Sequence, residues 1–126
     1  MSGLAGIHSM VGGLVVVALI VVVVVAAMQA AGGDGRLTRT VSIAASVILL
    51  LQYLIGFLLL GSGFQNSMTH YILALLILVP IGLQHASVRR LSPRSQGVAL
   101  IIWALAAAFL SIIVYMTGMQ GAPATT

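Results

Sequence analysis

The sequence predicts an all-α integral membrane protein with four transmembrane helices in an up-down antiparallel bundle. Three observations lead there. Of 126 residues, 61% are hydrophobic and 5% are charged, whereas a soluble domain carries about 25% charged residues. Four apolar stretches, at about 3–29, 40–61, 68–88 and 97–118, each reach the roughly 20 residues that a helix needs to cross a hydrocarbon core of about 30 Å. Short polar breaks separate them, so residues 1–126 read as one four-helix domain ending in a tail, 119–126.

Inside lipid the backbone has no water to bond, so each stretch closes its hydrogen bonds as a helix. The first, "GLAGIHSMVGGLVVVALIVVVVVAAM", is rich in valine, which favours strands in water; its length and unbroken apolarity override that preference. It is too long for a signal-peptide core and lacks a positive leader, so it reads as a retained span. "AAGGDGRLTR" ends it. The second stretch, "VSIAASVILLLQYLIGFLLL", stops at "GSGFQNS". The third, "THYILALLILVPIGLQHASV", contains Pro80, which removes the hydrogen bond to the Leu76 carbonyl and should bend the helix. "RRLSPRSQG" leads into the fourth, "VALIIWALAAAFLSIIVYMT". The tail "QGAPATT" is expected to be disordered or to lie on the surface.

The arginines set the expected orientation. Arg36 and Arg39 fall in the first connection, and Arg89, Arg90 and Arg94 in the third; the second connection and both ends have none. Positively charged loops stay cytoplasmic. Both termini are therefore expected outside, across a bacterial inner (cytoplasmic) membrane. The first and third helices then run from outside to inside, and His8 and His70, each within two turns of its helix start, lie at similar depth near the outer face.

Composition also removes function classes. With no cysteine, disulfides, iron–sulfur clusters, cysteine-ligated zinc and thiol catalysis are excluded. The single acid, Asp34, lies in a connection, so no span offers a carboxylate for a proton relay, paired-carboxylate hydrolysis or di-iron chemistry. No catalytic residue is assigned, and an enzyme is disfavoured. The basic balance does not point to nucleic acid, because the arginines flank membrane spans. A channel or transporter would need charged rings or paired broken helices, which the pattern lacks. The expected partners are membrane lipids, other subunits of a membrane oxidoreductase complex, and quinone.

Ionisable residues within spans are functional candidates by default; here they are His8, His70 and His85. Two histidines at matched depth on parallel helices suit the axial pair of a haem iron, one neutral imidazole on each face of the ring. Four-helix bundles hold cofactors between facing helices. Gly12 and Gly13 lie one turn below His8 and Ala74 one turn below His70, leaving room for a flat ring. Gln52 and Gly56, a turn apart on the second helix, complete the candidate pocket. Any metal is held by His8 and His70 through haem iron only. The plainer alternative stays open: small residues also serve close helix packing, and a histidine near a helix end can bond a backbone carbonyl.

His85 lies fifteen residues beyond His70, about 22 Å along a helix, beside Arg89 and Arg90. It cannot share a haem with His70 and is expected to be interfacial or to meet a partner, with Gln84 and Gln29 forming a polar inner rim. Tyr53, Tyr71, Trp103 and Tyr115 are candidate interface anchors. Ser111 and Tyr115 share a helix face that either lines a site or bonds a neighbouring helix.

The stretches "GIHSMVGGLVVVALIVVVV", "ILLLQYLIGFLLLGSG" and "THYILALLIL" together resemble one four-helix half of heme A synthase. That family pairs a histidine opening one helix with a "Q…G" helix and a second histidine opening the next. His8, Gln52, Gly56 and His70 match these elements, over about the first ninety residues. The resemblance implies a bundle binding b-type haem near the outer face, with His8 and His70 as ligands. Ala5 stands where the family's catalytic half has glutamate, and Ser9 where an arginine often follows the histidine. The chain has four helices rather than eight, with one helix following the histidine pair. Haem oxidation is therefore not carried over. The expectation is a small, non-enzymatic cytochrome b-like protein for electron transfer within or beside a respiratory or photosynthetic complex. The alternative is a cofactor-free structural accessory subunit of a larger membrane complex.

Overall fold

The computed structural model describes residues 2–120 and 122–123. They form an all-α, four-span antiparallel bundle: α1 (Ser2–Ala30), α2 (Gly35–Gly61), a third span broken into α3 (Met68–Leu76) and α4 (Leu78–Ala86), a 3-10 turn at Ser87–Arg90, and α5 (Pro93–Gly118). All four spans are long and apolar enough to cross a membrane, so this is an integral membrane protein whose outward faces meet lipid. Two-residue strands β1 (Phe64–Gln65) and β2 (Ala122–Pro123) pair antiparallel at one end, joining part of the tail to the α2–α3 connection.

Polar caps set the helix starts. Asp34 accepts the Arg36 N–H at 2.9 Å and Ser92 accepts that of Ser95 at 3.4 Å, satisfying donors left free at a helix N-terminus. These caps correct the expected boundaries. Arg36, Arg39 and Arg94 lie within the opening turns of α2 and α5 rather than in loops. At 27 residues α2 spans about 40 Å, so its first turns extend beyond a hydrocarbon core of about 30 Å and keep the guanidinium groups out of lipid. The sharp turns use Gly32 and Gly63, whose φ of +105° and +84° are costly for any side chain.

The third span breaks at Ile77, three residues before Pro80. A proline ring cannot donate to the i−4 carbonyl and crowds it, so the helix is interrupted just upstream, as the sequence implied.

The helices are not arranged with equal spacing. α1 packs along both α2 and α5, and α5 packs on α3 and α4, while the backbones of α2 and α3–α4 stand farther apart. The core is Val15, Leu19 and Val22 of α1 against Ala104, Ala107 and Ala108 of α5, with Ala45, Leu49, Ile77 and Ile81. Small residues let the α1 and α5 backbones approach. The limit is reached at Gly97, where an added Cβ would lie 2.6 Å from the Ala30 nitrogen and 2.8 Å from the Ala26 oxygen.

At the arginine-bearing end, buried polar side chains tie helices together instead of forming a rim. Gln29 donates to the Pro93 carbonyl at 3.0 Å, Thr38 to the Val25 carbonyl at 3.1 Å, and Gln84, only 1% exposed, to the Ser42 hydroxyl. The expected polar rim of Gln29 and Gln84 is thus corrected: a primary amide in a span is less costly bonded to a neighbouring helix than facing lipid.

Candidate functional site: a cavity between the helices

At the arginine-free end, the gap between α2 and α3 widens into a cavity of about 700 Å³. Of the residues singled out from the sequence for the pocket, His8, Gly12, Gln52, Gly56, His70 and Ala74 line it, whereas Gly13 does not. The register of the antiparallel helices explains the gathering. Gly12 of α1 lies level with Gln52 of α2 and Tyr115 of α5, and Gly56 level with His8.

Each imidazole rests on a glycine. A Cβ on Gly56 would stand 3.1 Å from His8 Cε1, and one on Gly118 would stand 3.0 Å from His70 Cε1. Gly12 admits the Gln52 amide and the Tyr115 ring, at 3.0 and 3.4 Å from where its Cβ would be. The glycines therefore make room first for the polar side chains that face the cavity.

His70 is held at both backbone and ring. Ser67 caps α3 and accepts the His70 N–H at 3.2 Å, placing the residue in the first turn. Its Nδ1 lies 3.1 Å from the Val114 carbonyl and 3.2 Å from the Thr117 hydroxyl oxygen. A carbonyl only accepts, so Nδ1 carries the proton, and Nε2 carries the lone pair. The Thr117 hydroxyl donates to the same carbonyl at 3.0 Å, which frees its oxygen to accept from Nδ1. The backbone-carbonyl bond anticipated as the plainer alternative is thus present, but it uses only one of the two ring nitrogens.

His8 is held less completely. Its Nε2 lies 3.3 Å from the Gln52 amide nitrogen. Its Nδ1, the Gln52 Oε1 and the Ser111 Oγ are buried without a protein partner. All three residues line the cavity. Most buried polar groups are paired in native proteins, so these three stand out as unpaired atoms on residues beside the cavity.

The tyrosines depart from the expected membrane belt. Tyr53, Tyr71 and Tyr115 all line the cavity. The Tyr53 hydroxyl donates to the Ala74 carbonyl, and Tyr71 Oη accepts the Asn66 N–H at 2.9 Å. His85 lies away from the cavity on an exposed face. Ser46 donates to the Ser42 carbonyl at 3.0 Å, so His85 Nε2, 2.9 Å from Ser46 Oγ, is the donor in that pair. Thr117, Gly118 and Asn66 were not singled out from the sequence. Their signal was faint, a hydroxyl and a glycine at the end of the last span and an amide in a loop. Among the described residues no group of three or more His, Cys, Asp or Glu side chains gathers as a metal site.

The fold and site define a class: a four-span membrane bundle with a mainly apolar, histidine-bearing cavity at one end. No family model, curated protein or solved structure matches the chain.

Proposed function

We propose that this protein is a small b-type haem-binding membrane bundle, a cytochrome b-like electron carrier rather than an enzyme, with His8 and His70 as axial ligands. One observation carries the reading. Histidines from two parallel spans line one cavity, and His70 donates Nδ1–H to a backbone carbonyl, which leaves Nε2 as the ligating atom. Metal-bound histidines are characteristically oriented by such a bond. The Gln52 amide donates to His8 Nε2, so ligation by His8 through Nε2 would take over that lone pair and release the Gln52 side chain, whose Oε1 is already unpaired. The mainly apolar walls suit a macrocycle. When bound, the haem supplies a one-electron couple whose potential the axial pair and the low dielectric would set.

The positive-inside bias supports placing the cavity near the outer face of a bacterial inner membrane, with electron exchange there with quinone or a larger respiratory or photosynthetic oxidoreductase. A cofactor-free accessory subunit explains the apolar exterior equally well, but it leaves the cavity and the two histidines that line it without a role.

The test is the absorption spectrum of protein made with ample haem, before and after reduction. Reduced b-type bands at one haem per chain are expected. Their absence would sink the proposal.

A further inference from the structure

The cavity is covered above and open at the side. At the arginine-free end the α2–α3 connection lies over it, with Phe64 and Asn66 among its lining. That cover is pinned in three ways. The Asn66 side chain donates to the Gly118 carbonyl at 3.1 Å, its backbone N–H donates to Tyr71, and β1 pairs with β2. The floor is buried side chains: Val15, Leu49, Ile77 and Ser111.

The side facing the membrane differs. Phe57 and Leu60 of α2 and Leu75 of α3 line the cavity yet are 63%, 47% and 57% exposed. A side chain that is both wall and surface marks an opening; these three lie on the seam between α2 and α3, and a fourth, Met119, 64% exposed, lies at the arginine-free end of α5. The seam is also where the two backbones stand apart. Towards the arginine-bearing end the seam is clamped by Gln84 to Ser42 and by His85 to Ser46. At cavity level it is crossed by Tyr53 to the Ala74 carbonyl, beside the helix break at Ile77.

We infer that the cavity is a lateral binding site, loaded from within the bilayer through the α2–α3 seam, with the Tyr53–Ala74 hydrogen bond as its latch. Its ligand is accordingly a molecule that partitions into lipid, a flat ring if the proposed function holds. A water-borne solute would have to pass the pinned cover, whereas a lipid-dissolved molecule meets only Phe57, Leu60, Leu75 and one hydrogen bond. Identifying that molecule as haem rests on the proposed function; the seam as the route does not.

The chain has no cysteine, so a single Ser111→Cys can carry a nitroxide at the cavity floor. In reconstituted bilayers, power-saturation spectroscopy would compare collision with dioxygen, which concentrates in lipid, and with a water-confined nickel chelate. Dioxygen accessibility within about twofold of a lipid-facing Phe109→Cys label is expected, with little from nickel. The reverse pattern would overturn the seam as the route. Ala74→Cys serves as a second wall position if the first variant fails to fold. Separately, Phe57→Cys/Leu75→Cys would be bridged by a reducible bis-thiosulfonate reagent. Haem uptake by the apoprotein from donor liposomes should slow at least tenfold and recover on cleavage of the bridge. Unchanged uptake in the bridged form would count against the lateral route while leaving haem binding intact. Failure of the unbridged protein to take up haem at all would overturn the haem assignment, and the nitroxide result would still decide the route.

Discussion

Gly56 positions His8 by having no side chain: a Cβ there would lie 3.1 Å from the imidazole Cε1. That spacing is tighter than ordinary contact, so the ring would have to shift by a few tenths of an ångström for alanine and farther for valine. Gly56→Val is therefore expected to lower haem affinity about 10- to 100-fold, the range for disturbing the support of a metal ligand, and Gly56→Ala by less. Haem titration of the apoprotein measures this, with helical content by circular dichroism as the control.

The three histidines should separate cleanly. His8→Ala and His70→Ala are each expected to abolish reduced b-type bands. His85→Ala should retain them, because His85 lies outside the cavity and bonds Ser46. Its cost is one exposed hydrogen bond, about 0.5–1.5 kcal/mol of stability. Spectra of the three purified variants check this, and loss of the bands in the His85 variant alone would contradict the assignment.

Thr117 tests how His70 is oriented. Its hydroxyl oxygen lies 3.2 Å from Nδ1, and accepting from Nδ1 makes the imidazole a stronger donor to a metal. A stronger donor favours the oxidised iron. Thr117→Val should therefore weaken haem binding about tenfold and raise the reduction midpoint, measured by spectroelectrochemical titration. The Val114 carbonyl still fixes the tautomer, so binding should be weakened rather than lost.

The sequence made the bundle and the shared level of His8 and His70 within it readable, because each rests on a one-dimensional quantity: apolar length and distance from a helix start. The His8–Gln52–Gly56 grouping was readable because helical spacing places Gln52 and Gly56 on one face. The support of His70 was not. Val114 contributes a backbone carbonyl, which no side-chain pattern reports, and Thr117 and Gly118 meet His70 only through the packing of α3 on α5. Tyr53 and Tyr71 misled because an aromatic near a span end usually marks the interface, whereas here the cavity turns them inward; for Tyr115 the face it shares with Ser111 had already allowed a place in a site. The helical starts of α2 and α5 were displaced because Asp34 and Ser92 cap turns that project beyond the lipid.

Gly97 should be among the least replaceable positions outside the cavity. An added Cβ would fall 2.6 Å from the Ala30 nitrogen and 2.8 Å from the Ala26 oxygen, both backbone atoms that cannot rotate away. Gly97→Val should therefore force α5 off α1 and cost about 1–3 kcal/mol or more. Reversible unfolding in mixed micelles measures the loss. A neutral result would mean that α1 and α5 do not pack this closely in the bilayer.

The Gln84–Ser42 hydrogen bond predicts an asymmetry between its two partners. Gln84 Nε2 donates to Ser42 Oγ in the interior, while Gln84 Oε1 has no protein partner. Ser42→Ala removes the acceptor and leaves both polar atoms of a buried amide unsatisfied, which costs about 1–3 kcal/mol. Gln84→Leu removes the unpaired oxygen together with the donor. The serine left behind can turn its hydroxyl to the carbonyl of Thr38, one turn earlier on α2, as serines in helices do. Gln84→Leu should thus cost less than about 1 kcal/mol, and the double variant Ser42→Ala/Gln84→Leu should be more stable than Ser42→Ala alone, since replacing both partners by apolar groups leaves nothing stranded. Unfolding free energies of the three variants decide the matter. A larger loss for Gln84→Leu than for Ser42→Ala would mean that the Gln84 side chain contributes more than its bond to Ser42, and would contradict this asymmetry.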